Sequence, residues 1–363
     1  MWFHSLLASW KSGLSRSRRP RPARRGARLV LERLEDRTLL SSYTAYTASD
    51  LIADINAANK AGGANTISPT APTTHFYTLT AVNNSTNGYN GLPVIAANDN
   101  LTIVGNGDRF ERTASRNPGF RFFDVAAGAS LTLQNLYLEF GFAQLGRGGA
   151  AGGAIYNQGA LTLSGVHVDK NQADGSGSGA FGVPAGGGGI WSNGSLTLEN
   201  GTVLGGNVAR GGDPGGAAFG GAVYVAGGTA NITNTTFLDN SAIGGLSDAP
   251  YGPQVGGNAF GGALYVAAGQ VVLTNAAVNN NLAINPGGSP TPSGYGGGLY
   301  VAGGTVTLAS DTVESNAVRG GGYGGGLFIA KGATVYIDAF TLADVINNTA
   351  AIDPNIDGTY IKT

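Results

Sequence analysis

"FGGALYVAAGQVVLTNAAVNNN" (Phe260–Asn281) is followed by a near-copy, "YGGGLYVAGGTVTLASDTVESN" (Tyr295–Asn316). Aligned on the Gly-Gly pair, the sentence occurs six times, starting at Gly152, Gly187, Gly220, Gly261, Gly296 and Gly324. From the first Gly to a closing Asn (Asn171, Asn207, Asn240, Asn281, Asn316) the distance is 19 or 20 residues, and the length variation falls between that Asn and the next Gly-Gly. A fixed core with a variable tail describes one structural rung and a loop on one side of it, and a period of this size marks a solenoid, an array or a propeller.

Within a rung the apolar residues alternate, as in a strand with one buried face. In the fifth copy Leu299 and Val301, Val306 and Leu308, and Val313 form three such groups, separated by turns at Gly303-Gly304 and Ala309–Asp311. Three short strands, two tight turns and a loop make one coil of a parallel β-helix. Stacking puts Ile155, Ile190, Val223, Leu264, Leu299 and Leu327 in one inward column and Leu163, Leu198, Ile232, Leu273, Leu308 and Ile337 in another. One rung cannot bury its apolar face, but a stack can, so stability comes from neighbour interfaces. Propeller blades need longer antiparallel strands and fit less well.

The predicted fold is therefore all-β, a single-stranded right-handed parallel β-helix solenoid of roughly nine rungs with an N-terminal capping helix. "FFDVAAGASLTLQNLYLEFG" aligns Phe123, Val125, Leu131, Leu133 and Leu138 with the inward columns, and Leu101 and Ile103 supply an earlier rung. Leu51, Ile52, Ile55 and Ala58 have helical spacing between a Ser49 cap and a Gly62 stop. That reading divides the chain into a basic leader (1–42), a cap with its helix at about 49–60 and the first irregular rungs (43–100), the β-helix (101–350) and a closing tail (351–363).

Composition narrows the function. The chain of 363 residues has no Cys, which excludes disulfides, thiolate metal sites and a Cys nucleophile. Its three histidines, His4, His75 and His167, are too scattered to suggest a metal site or a triad. Ten of the 21 Lys and Arg lie in residues 1–37, leaving the body with 11 basic against 19 acidic residues. A body of that sign repels nucleic acid. No apolar run is long enough to span a bilayer.

Three resemblances attach to specific residues. "LERLEDRTLLSS" (31–42) resembles the motif that closes the leaders of many large exported planctomycete proteins, which implies export and residence outside the cell or at its surface. The Gly-Gly-Ala-Ile repeats and "TFLDN" (236–240) resemble those of polymorphic outer-membrane proteins, with the departure that 15 residues follow Asn348 where autotransporter relatives carry a C-terminal membrane barrel. The body as a whole resembles right-handed parallel β-helix proteins of the pectate-lyase-like fold.

Three sets of residues are candidates for a role. The Asn column, Asn171, Asn207, Asn240, Asn281 and Asn316 with Asn348 beyond it, reads as a structural ladder. The outward column Tyr156, Trp191, Tyr224, Tyr265, Tyr300 and Phe328 is a candidate glycan-stacking strip, or else an internal ladder covered by Gly-rich loops that bring Phe181, Phe219 and Phe260. Glu139 and Asp169 each lie six residues after an inward Leu on successive rungs, and Arg109 has the same offset from Ile103. An acid pair beside an Arg is a weak candidate for a catalytic or calcium site. No motif for calcium or any other cofactor is present. The favoured function is a monomeric, exported, structural or adhesive β-helix protein with weak multivalent contact to polysaccharide or cell-surface components. The alternatives are a polysaccharide lyase or glycoside hydrolase acting on an acidic polysaccharide, and a passenger fragment of a larger adhesin system.

Overall fold

A computed structural model describes residues 40–70, 75–113, 118–144, 150–175, 182–246, 256–286 and 294–363. All of them belong to the compact unit that begins at Thr38. The leader motif, except its last three residues, and Phe181 lie outside the described residues.

The described chain is a right-handed parallel β-helix of about eight turns, in the sense that strand twist imposes on parallel crossovers. One full turn illustrates the rest. Gly294–Tyr295 begins it, Leu299–Val301 follows, Thr305–Ala309 and Thr312–Glu314 share one long sheet, and Ala317–Arg319 closes it. The corresponding strands stack into a six-stranded short sheet, an eight-stranded aromatic sheet, an 18-stranded long sheet and a six-stranded alanine sheet. Every pairing between successive turns is parallel, with side chain over like side chain. Both predicted inward columns occur in that register.

Each turn has two strands that the alternation pattern does not reveal. The strand after each ladder Asn and the two-residue strand before each Gly-Gly lie within what reads as loop. They pack against each other through Ala209, Ala218, Ala242, Ala259 and Ala283, a small core separate from the main one. Side chains this small bring two strands close but leave no apolar period to detect.

Two backbone devices close each turn. The first Gly of the pair adopts positive φ (57° at Gly220), where a Cβ would run into the carbonyl oxygen of Val223. Each ladder Asn follows a residue in the left-handed region, such as Lys170, Asp239 or Ser315, at φ 56–57°. That conformation turns the chain sharply between the long and alanine sheets.

The capping helix spans Ala48–Ala61, with Leu51, Ile55 and Ala58 buried and Gly62 ending it at φ 64°. Its N-cap is Thr47 rather than Ser49, because Thr47 and Asp50 form a reciprocal capping box. At the far end Ile356–Asp357 extends the aromatic sheet and Ile361–Lys362 the long sheet. Among the described residues no helix is long and apolar enough to cross a membrane.

Candidate functional site

The Asn column forms a continuous hydrogen-bonded ladder. The backbone N–H and Nδ2 of Asn171 both donate to Oδ1 of Asn207 (3.1 and 3.0 Å). Asn207 does the same to Asn240, Asn240 to Asn281, Asn281 to Asn316, and Asn316 to Asn348. Each Nδ2 also donates to a backbone carbonyl of the preceding turn, as Asn240 does to Leu204 at 2.8 Å. Gly141 starts the series and Asn355 ends it. The five candidate Asn are at most 1% exposed, so the ladder has no surface to offer a ligand.

The six aromatic side chains stack along the aromatic sheet in the expected register. Tyr156 and Trp191 lie 4.3 Å apart at 3°, and the later pairs lie 4.9–6.3 Å apart. A second column, Phe219, Phe260, Tyr295 and Tyr323, stacks at 5.1–5.8 Å and meets the first edge to face. All ten rings are half-buried. A sugar packs on a ring face, whereas here the faces within each column are covered by neighbouring rings. Burial pushes the Tyr224, Tyr265 and Tyr300 phenols up from their ordinary pKa.

The N-terminal end of the first column is closed by ions. Arg121, 3% exposed, sits 5.0 Å from the Tyr156 ring centre, and Asp124 occupies the next position of the column. Asn87 donates to Asp124 and its carbonyl accepts from Arg121 Nη1. Burial pulls the Arg121 guanidinium down to about 10, against the pull of Asp124, and raises the Asp124 carboxyl.

The third set lies on the outer face of the long sheet. Glu139 and Asp169 are direct cross-strand neighbours. Arg109 departs from the expected register. A bulge between Val104 and Asp108 absorbs Gly105–Gly107, placing Arg109 opposite Tyr137 and Glu111 opposite Glu139. The Arg side chain nevertheless spans the offset, with Nη1 2.7 Å from Glu139 Oε2. Its guanidinium lies over the Tyr137 ring at 4.2 Å, and Tyr137 stacks on His167 at 4.4 Å. His167 Nδ1 is 3.7 Å from Asp169 Oδ2.

The sequence gives little sign of His167 as a member of this patch. Its signal is its place two residues before Asp169 in one strand, which puts both side chains on the same face. His75 lies on the neighbouring strand edge, 3.0 Å from the buried Asp108. Both histidines of the body therefore flank the Arg109–Glu139 pair, each beside an Asp. Burial raises the Asp169 carboxyl above the ordinary range, opposed by His167 and reinforced by Glu139. The hydrogen bond from Glu139 raises the Arg109 guanidinium. Gly205 follows Asp169 in the register and covers it with no side chain. Chemically, the patch combines an acid held by an Arg, a second acid with increased proton affinity and an imidazole. Among the described residues no group of three or more His, Asp or Glu side chains converges as metal ligands would.

Comparison with protein-family models, curated proteins and solved structures yields no match for this chain.

Proposed function

We propose that this chain is an exported rod of the cell surface or extracellular matrix, structural or adhesive in role, that makes weak, repeated contacts with glycans. The observation that carries this reading is the unbroken Asn ladder beside the double aromatic ladder. Both spread stabilisation along the turns from Tyr156 to Asn348, which suits a rigid spacer with a long polar surface. Multivalent contact along such a surface turns weak single affinities into useful avidity. The test is to incubate residues 43–363 with immobilised neutral and acidic polysaccharides, with and without calcium. Retention without product release is expected, and the absence of retention on every polymer would overturn the reading.

A second reading is catalytic, a lyase or glycoside hydrolase acting on acidic polysaccharide. It draws its support from the cross-strand Glu139–Asp169 pair, with Arg109 on Glu139 and His167 beside Asp169. In that reading Asp169, the carboxyl with raised proton affinity, is the proton donor and Glu139 the ionised partner. Following reducing ends and unsaturated uronate absorbance in the same incubations discriminates the two. Turnover that Glu139→Gln abolishes would establish the catalytic reading in place of the first.

A further inference from the structure

The outer face of the long sheet carries another regular column. Thr66, Thr102, Thr132, Thr162 and Thr197 lie opposite one another on five successive strands. All five are half-buried, and none of their hydroxyls hydrogen-bonds to another described residue. The column continues to Asn231 and is interrupted at Val272, which is 39% exposed.

Beside this rank the sheet is hollowed. Asn100, Ser130 and Ala160 precede Thr102, Thr132 and Thr162 by two residues and so share their face. Together with Asn98 and Gln158 they line a broad depression open to solvent. Asp99 also lines it; that carboxyl is 2% exposed, with Oδ1 held by Asn65 Nδ2 at 2.8 Å and Oδ2 lacking a partner. Apart from this buried acid the lining is neutral, built of amides, hydroxyls and small side chains.

We propose that the Thr102–Thr132–Thr162 rank and the adjoining open depression form a binding subsite for an extended neutral glycan lying along the rod axis, an inference that rests on the glycan-contact reading above. Stacked strands repeat every ~4.8 Å, so the rank offers one free hydroxyl per strand along a straight line. An extended β-1,4-linked glycan advances by about one strand spacing per sugar and turns over at each one, so alternate sugars present the same edge to alternate Thr side chains of the rank. Neutral donors and acceptors match sugar hydroxyls, whereas a polyuronate or a nucleic acid would need cations here. A protein partner would need large apolar or aromatic anchors to fill the hollow, and the wall presents none to pack against.

The experiment is affinity measurement on the full chain with cellohexaose, chitohexaose, xylohexaose and polygalacturonate. The variants are the triple T102V/T132V/T162V, Ser130→Ala with Gln158→Ala, Arg109→Gln in the charged patch, and Glu314→Gln on a distant turn as the control. Val keeps the branched shape and strand preference of Thr, and thermal melting with parallel circular dichroism checks that each variant folds. The expected result is binding of at least one neutral hexaose that weakens at least about tenfold in the triple variant, since each lost hydrogen bond is worth a factor of a few. The Ser130/Gln158 variant should weaken in the same direction, and Glu314→Gln should bind as the unmodified chain does.

Neutral binding untouched by a folded triple variant would overturn the subsite while leaving glycan contact intact. Preference for polygalacturonate, lost in Arg109→Gln, would move the contact to the Arg109 patch and overturn the neutral class. Retention of no glycan at all would overturn both the subsite and the reading beneath it.

Discussion

The turns from Gly152 onward and the turns before it use the same sheets in opposite ways. In the later turns each position in the rung has one task, and like stacks on like: Asn on Asn, ring on ring, Ala on Ala. In the earlier turns the Gly-Gly pair is absent, a bulge interrupts the long strand at Val104–Asp108, and phenylalanines such as Phe120, Phe122 and Phe123 fill the interior. Among the described residues, buried charged side chains concentrate there: Asp99, Asp108, Arg112, Arg121, Asp124 and Glu139, against Asp174 and Asp311 in the later turns. Repetition restricts a column to residues that tolerate a copy of themselves above and below. Like charges stacked at strand spacing repel, so charged chemistry collects where the repeat has broken down.

Replacing Asn240 with Ala should produce the largest effect of any single change in the regular half. It removes the Oδ1 that accepts twice from Asn207 and the Nδ2 that donates to Leu204 and Asn281. Orphaning buried partners on both sides should cost about 4 kcal/mol, read by denaturant unfolding. A cost near zero would mean that water replaces the ladder and that its continuity is dispensable.

In the irregular half, Arg121→Met leaves Asp124 fully buried without its cation and should cost about 3 kcal/mol. Because the damage lies at one end of the aromatic column, hydrogen exchange should quicken around residues 84–90 and 121–125 and hardly change beyond Gly220. Uniform quickening along the rod would erase the distinction between the two halves.

Trp191→Leu should cost less, about 1 kcal/mol beyond its lost area, because it interrupts one stacked column while leaving the second in place. Trp2 and Trp10 belong to the leader, so Trp191 is the single Trp of residues 43–363 and can be excited selectively. Its emission should resist quenching by iodide less than a core Trp does and more than a free indole does.

The smallest effect is in pH. Asp311 lies in a buried turn with both oxygens accepting backbone N–H groups, from Ala276 and Ala309, and burial pushes it up to about 7. A carboxyl with a higher pKa in the folded than in the unfolded chain favours folding when protonated. Its stabilising contribution is complete below about pH 4 and falls as pH rises toward 7, lowering the melting temperature by a few degrees. Asp311→Asn should flatten that slope, whatever it does to stability at a single pH. An unchanged slope would assign it to other raised carboxyls, among them Asp99 and Asp124.

Much of this was legible because the repeat writes its own alignment. Once Gly220, Gly261 and Gly296 are superimposed, the inward columns, the Asn ladder and the ring column follow without reference to any other protein. Two strands per turn escaped because Ala242 or Ala259 carries no periodic signal. The position of Arg109 escaped because Gly105-Asn106-Gly107 reads as an ordinary turn, whereas it takes up a slip in register. The Thr rank did have a signal, the recurring Leu-Thr-Leu at 131–133, 161–163 and 196–198. Its inward leucines drew the reading toward the core and away from the hydroxyl between them. The Arg121–Asp124 cluster had none, since nothing local links it to Asn87 or Tyr156.

The Asn ladder also gives the molecule an electrical direction. Each carboxamide turns its oxygen toward the preceding rung and its nitrogen toward the next, from Asn171 through Asn348. Amide dipoles aligned head to tail add rather than cancel, and each polarises the next within a buried, weakly screening interior. The rod is thus a polar needle whose C-terminal end is the positive pole of this line. Two such needles side by side attract when antiparallel and repel when parallel, so a crowded array of them would alternate in orientation.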